Sequence, residues 1–225
     1  MMTLGIMQPY FFPYLGYFQL IKAVDTYVNL DHVSFMKRSY MTRNSVKGGV
    51  QINLQVSGAS QNKNCKEVLV NFEHDYINKF LKTLKILYSK SERYDEIVEE
   101  IILPHFVEKD ITVSEFNLGI IMSVCNKLEI DTKIITTSSE FNNIHLKKEK
   151  GLQSISNQLN ANSYINAIGG TKLYSKEDFK KSGIDLLFIR MSDVDLEMPY
   201  ASILHQLMSY PIDHIKHQIN RYELI

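Results

Sequence analysis

The sequence predicts an α/β protein, a mostly parallel sheet flanked by helices, with a helical insertion in the middle of the chain. Three observations carry this. Short apolar runs alternate with helix-period segments at both ends of the chain, as repeated strand–helix–strand units require. The stretch 71–131 instead strings helix-period patterns together. The chain of 225 residues, 44% hydrophobic and 22% charged, can bury one core without disulfides or a structural metal, so 1–225 reads as one domain.

The elements follow in order. Thr3 to Met7 is a short apolar run ended by Gln8-Pro9, a first buried strand. A turn-rich aromatic stretch, Tyr10 to Gly16, leads into a helix with Phe18, Ile21 and Val24 near one face. Tyr27 to Leu30 is a second strand, completing a βαβ unit with a parallel pair. Val50, Ile52, Leu54 and Val56 alternate with polar residues and predict one half-exposed strand. Ile77, Phe80, Leu81, Leu84 and Leu87 hold helical spacing. Ile97, Val98, Ile101 and Ile102 begin another helix, stopped near Pro104. Thr112-Val-Ser-Glu115 is a capping box for a helix to about Leu128. Strands are then expected at Lys133–Thr137, Tyr164–Ile168 and Ile184–Met191. Helices are expected at Lys148–Leu159 and after Ser175, the latter ended by Gly183. Ile203 to Leu224 reads as one or two closing helices around Pro211. The whole is Rossmann-like.

Bulk properties exclude some functions. Basic and acidic residues balance at 25 each, so nothing predicts a DNA-binding surface. Cys65 and Cys125 lie far apart and outside any metal-ligand spacing, which suits free thiols in a reducing compartment. The apolar stretch from Leu4 to Ile21 carries Gln8, Pro9 and Pro13. It fits neither a signal peptide nor a membrane span, so a cytoplasmic protein without stable membrane insertion is expected.

In a parallel sheet, ligands sit beyond the carboxyl ends of the strands. That rule nominates the loops after Met7, Leu30, Thr137 and Ile168. In the first, Gln8 offers a donor and an acceptor, Tyr10 and Tyr14 offer flat faces and hydroxyls, and Gly16 allows close backbone approach. The plain alternative is a rigid loop whose aromatics plug the core. In the second, Asp31 is followed by Lys37, Arg38, Arg43 and Asn44, a pattern suited to phosphate or carboxylate, or to a solvated basic loop. In the third, Ser138 and Ser139 can hold phosphate oxygens or cap a helix. In the fourth, Asn166, Gly169, Gly170 and Tyr174 combine tight backbone with a polar aromatic, but match no dinucleotide or P-loop motif. His214 and His217 beside Asp213 lack a third ligand, so no metal site is expected.

Several of these segments coincide with one family. Ile6-Met-Gln-Pro-Tyr-Phe-Phe-Pro-Tyr-Leu-Gly-Tyr-Phe-Gln-Leu-Ile21 resembles the opening of WbqC-like proteins. Asp31-x-Val33-x-Phe35-x-Lys37 with Arg43-Asn44, the Ser138-Ser139 pair, and Tyr164-Ile-Asn-x-Ile-Gly-Gly with Leu173-Tyr174 resemble later blocks. The chain departs from the pattern at His32 and Ser34, where other polar residues are usual, and at Thr42. It departs again at His205, where the family often has an acid, which makes His205 a candidate by position. The opening strand, Pro/Gly loop, helix and strand also look like the start of nucleotidyltransferases, but without the His-x-Gly-His of those enzymes.

The resemblance implies a role in bacterial O-antigen or related surface-polysaccharide biosynthesis. The expected activity is modification of a nucleotide-linked amino sugar by N-acylation or aminoacylation, for instance glycyl transfer. Asp31 would then position or deprotonate the amine, Lys37 and Arg43 would hold phosphates or the oxyanion, and Gln8 and Tyr10 would orient the sugar. Partners would be the nucleotide sugar and an acyl or aminoacyl donor. ATP with Mg2+ would join them if the carboxylate is activated in place. The aromatic content is compatible with a homodimer interface. Two alternatives stay open: a glycosyltransferase using Asp193-Val-Asp195 on a lipid-linked acceptor, and a non-catalytic nucleotide-sugar-binding or assembly factor.

Overall fold

The computed structural model describes residues 1–225 except 61, 73–74, 107–109, 143–145 and 147. The chain opens with β1 (Thr3–Met7), α1 (Leu15–Lys22) and β2 (Thr26–Asn29), with β1 and β2 parallel and Leu4 opposite Thr26. Gly5 is what lets α1 lie close on β1. A Cβ there would fall 2.7 Å from Leu20 and 3.3 Å from Val24.

Between β2 and the next strand of the sheet lies a long excursion. It begins with two short antiparallel ribbons, β3 (Arg43–Ser45) with β4 (Gln51–Asn53), and β5 (Val56–Ser57) with β6 (Leu69–Val70). The single strand expected over Val50–Val56 is thus two strands in two ribbons. The alternation marked burial at its centre, where Ile52 and Leu54 are inside, but not at its ends, where Val50 is exposed and Val56 half-buried. A period of two cannot register a change of partner between Asn53 and Val56.

The helical part follows as α2 (Tyr76–Tyr88), α3 (Tyr94–Ile97) and α4 (Val113–Lys127). α3 widens into a π-helical turn over Val98–Ile102 and tightens to 3-10 at Leu103–His105, where Pro104 lacks a donor. The Thr112 box forms as the sequence predicts: Glu115 N–H donates to Thr112 Oγ1 at 3.2 Å, and Thr112 N–H to Glu115 Oε2 at 3.0 Å.

The last third supplies β7 (Lys133–Ile135), α5 (Glu149–Gln158), β8 (Ser163–Ala167), α6 (Lys176–Lys181), β9 (Asp185–Met191), α7 (Ile203–Ser209), α8 (Ile212–Ile219) and β10 (Tyr222–Leu224). The sheet order is β10-β9-β8-β1-β2-β7, parallel except for β10, which pairs antiparallel to β9. β10 lies within the segment expected to be helical to Leu224. Its charged edge residue Glu223 pairs with Arg190 across the ladder.

Side-chain alternation splits the core into two layers. Ile165 and Ile189 face α1, α4, α7 and α8, whereas Leu4, Ile6, Val28, Tyr164, Leu186 and Phe188 face α5 and α6. β1 leads to α1 on the first face and its neighbour β8 leads to α6 on the second. The strand order therefore reverses between β1 and β8, and a crevice opens at their carboxyl ends.

Candidate functional site

The opening aromatic loop is first a piece of scaffold. Phe11 and Phe12 are fully buried, ring centroids 4.8 Å apart, against Phe80 and Phe116. Its carbonyls are met by side chains from distant elements. Asn44 Nδ2 donates to Phe11 O at 3.2 Å and Phe12 O at 2.7 Å, and Asn117 Nδ2 to Pro9 O at 3.1 Å. Ser202 Oγ adds a bond to Phe12 O at 2.9 Å, and Tyr17 OH one to Gln8 O at 2.7 Å. Buried amides satisfied in this way fix a backbone that regular structure does not.

What the scaffold presents is the Gln8 side chain. It lines a cavity of about 860 Å³ at the carboxyl ends of β1, β2 and β8, large enough for a nucleotide-sized ligand. Leu30, His32 and Ser34 enter from the loop after β2, and Asn64 from the ribbon region. Lys148 and Gly151 come from the start of α5, and Lys172 and Tyr174 from the turn after β8. Lys148 holds φ 52°, a conformation costly for a side-chain-bearing residue. Burial raises the Tyr174 phenol pKa, and Glu149 adds to the rise.

Asp31 is buried behind this wall. Its Oδ1 accepts from Ser138 N–H at 3.0 Å and Ser138 Oγ at 2.7 Å, and its Oδ2 from Thr137 Oγ1 at 2.6 Å. The carboxylate thus ties the loop after β7 to the end of β2. Ser139 Oγ accepts from Lys66 Nζ at 2.6 Å.

The other sequence-derived candidates are placed as follows. Lys37 and Arg43 are exposed, and neither lies in the cavity wall. Asn44 is buried and its amide is used on the aromatic loop. Tyr10 packs on Tyr40 at 5.6 Å, and burial, then Tyr40 and Tyr174, raise its pKa. Tyr14 covers Gly16, where a Cβ would come 2.5 Å from the ring, and lies tilted against exposed Tyr200, ring centroids 5.9 Å apart. Burial first, then Tyr200, pushes the Tyr14 phenol up to about 12. Asn166 is buried and donates to Tyr164 OH. Gly170 packs beneath it, whereas Gly169 has open space. His205 sits in the core on α7, Nδ1 against Tyr88 OH at 3.0 Å and Ser209 Oγ at 3.2 Å, with burial lowering its pKa.

The structure therefore gathers Gln8 and Tyr174 in one wall, backs it with Asp31 and Ser138, and leaves Lys37, Arg43 and His205 outside it. Sequence reasoning did not single out Lys148, Lys172 or Asn64. Lys148 lies in a Lys-rich run that reads as a solvated helix start, and nothing local marks it. Among the described residues, no group of three or more His, Cys, Asp or Glu is placed to hold a metal ion. Asp193 and Asp195 are exposed beyond β9. No helix among those residues is long and apolar enough to cross a membrane.

A mostly parallel α/β sheet with a cavity at its strand reversal defines the class: an α/β protein of the doubly wound kind. The chain belongs to the WbqC-like protein family, whose model matches residues 8–216. It is also similar to "Uncharacterized protein Rv1507c" of Mycobacterium tuberculosis, 26% identical over 139 residues. That match covers 60% of this chain and 59% of the relative, so the chain spans about three fifths of that protein's length. No solved structure matches the chain.

Proposed function

We propose that this protein is an enzyme of surface-polysaccharide biosynthesis that binds a nucleotide-linked amino sugar in the cavity and acylates or aminoacylates its amine. The observation that carries the reading is the joint presence of Lys148, Lys172, Tyr174 and Gln8 in one wall at the strand reversal. Two ammonium groups beside the first turn of α5 suit a diphosphate, because charge and helix dipole act together. The Tyr174 ring suits a base or sugar face, and the Gln8 and Asn64 amides suit sugar hydroxyls. The family resemblance supplies the glycan context, and a cytoplasmic site is where such nucleotide sugars would be met.

Catalysis of amide formation requires the amine to be held against an activated carbonyl, and alignment alone can supply about 7–11 kcal/mol of the barrier. Purified protein incubated with a dTDP-amino sugar, glycine and ATP, or with glycyl-tRNA, is expected to add one glycyl residue to the sugar. Binding of the nucleotide sugar, read as a rise in melting temperature, should precede any turnover. No binding of any nucleotide sugar would overturn the reading. Binding without mass gain from any acyl donor would replace the enzyme with the non-catalytic binding factor.

A further inference from the structure

Beside Lys148 and Lys172, the cavity wall carries one imidazole among the described residues, His32, whose protonation state is set by its neighbours. Ser138 Oγ has three close partners: Asp31 Oδ1 at 2.7 Å, Asp31 N at 3.1 Å and His32 Nδ1 at 2.6 Å. A hydroxyl has one hydrogen and two lone pairs. The Asp31 backbone N–H can only donate, and the carboxylate Oδ1 can only accept. The single Ser138 hydrogen therefore goes to Asp31, and both lone pairs are taken, one by the Asp31 N–H and one by His32. Nδ1 of His32 must then carry the proton. Its Nε2 keeps a lone pair, has no protein partner among the described residues, is not a buried orphan, and belongs to a ring that lines the cavity.

We infer that His32 is the proton acceptor of the cavity, with Ser138 and Asp31 as the positioning residues that hold it in the Nδ1–H tautomer. The inference rests on the acylation reading and names the base for it. As the sugar amine attacks an activated acyl ester or thioester, the C–N bond forms and the bond from carbonyl carbon to leaving group breaks. The leaving group departs with its electron pair, and the ammonium proton passes to Nε2 of His32. Asp31 makes no contact with the imidazole itself. It fixes the tautomer one hydrogen bond away, as a second partner fixes a ring elsewhere. The electrostatic surroundings suit a base that is free at neutral pH. Burial lowers the His32 pKa, Asp31 opposes this, and Lys66 acts with burial. Lys148 and Lys172 face the same cavity and add positive charge.

The test reads the ring directly and does not need turnover. The full chain labelled with 15N,13C-histidine is titrated by NMR, His32 being assigned by the resonance lost in His32→Gln. The expected result is a neutral Nδ1–H tautomer with a pKa below that of free histidine, and mixed tautomers in Ser138→Ala. Added dTDP-sugar should shift the Nε2 resonance. Where turnover is measured, His32→Gln should lower kcat by roughly 10²-fold or more with KM for the nucleotide sugar little changed, and should remove the acid limb of the pH profile. An Nε2–H tautomer in the wild type, or full kcat in a folded His32→Gln, overturns the inference. Absence of turnover in the wild type with the tautomer and ligand-induced shift intact removes the acyl-transfer chemistry only, and leaves His32 as the cavity's acceptor.

Discussion

Replacing Asp31 by alanine separates an anchoring carboxylate from a reacting one. The side chain is buried and accepts three hydrogen bonds, from Ser138 N, Ser138 Oγ and Thr137 Oγ1. Its removal strands the Ser138 amide in a fully buried position, whereas the Ser138 hydroxyl can turn to His32 Nδ1 and half-buried Thr137 to water. The stranded buried donor costs about 1–3 kcal/mol and a lost hydrogen bond to a charged group about 1.5–3 kcal/mol, so Asp31→Ala is expected to destabilise by about 3–5 kcal/mol. For a chain of this size that corresponds to a melting temperature lower by roughly 6–20 °C. Asp31→Asn keeps one acceptor for Ser138 and can place its amide toward Thr137 Oγ1, at a cost of about 1–2 kcal/mol. Urea denaturation followed by circular dichroism measures both. If Asp31→Ala leaves the unfolding midpoint in place yet abolishes ligand binding, the carboxylate serves the ligand and the anchoring argument is refuted.

Other outcomes follow from the same geometry. Lys148→Ala and Lys172→Ala should each weaken nucleotide-sugar binding about ten-fold without changing the melting temperature, with weaker salt dependence, as calorimetry at two ionic strengths would show. The paired glycines should behave differently. Gly170→Ala puts a Cβ 2.5 Å from Asn166 Oδ1 and 3.2 Å from the Tyr174 ring, and should cost about 1–3 kcal/mol and weaken binding, whereas Gly169→Ala meets nothing and should be near neutral in both assays. Burial pushes the Cys65 and Cys125 thiols up to about 12 from 9.0, so both should resist a thiol reagent at pH 8 until the chain unfolds. The unfolded chain releases these protons first, so stability should fall as pH rises from about 9 toward 12, which melting curves across that range would check.

Much of the frame was legible from local pattern. The βαβ opening, the α4 capping box and the Ser175 cap with Gly183 at φ 77° all form where the sequence places them. These signals are local: a period, a cap, a stop. The split ribbons around Leu54 and the added strand at Tyr222 were not legible, because both depend on which distant strand supplies the partner. The candidate site divides in the same way. Gln8 and Tyr174 could be nominated because they follow strands, and strand ends are where ligands bind. Asn44, singled out with the basic stretch, spends its amide on two carbonyls thirty-odd residues earlier in the chain.

The sequence by itself determined the α/β class, most of the element boundaries and the family, since each is written in spacings and motifs that lie within a few residues of one another. Only the tertiary structure decided which loops share a cavity. The return of the chain from β7 to the far side of β1 brings Lys148 and Lys172 into the same cavity as His32, while the loop after β7 sets Ser138 against the residues after β2. Protonation of the imidazole is likewise a tertiary property. It follows from how one serine hydroxyl divides its single hydrogen and two lone pairs among groups more than a hundred residues apart.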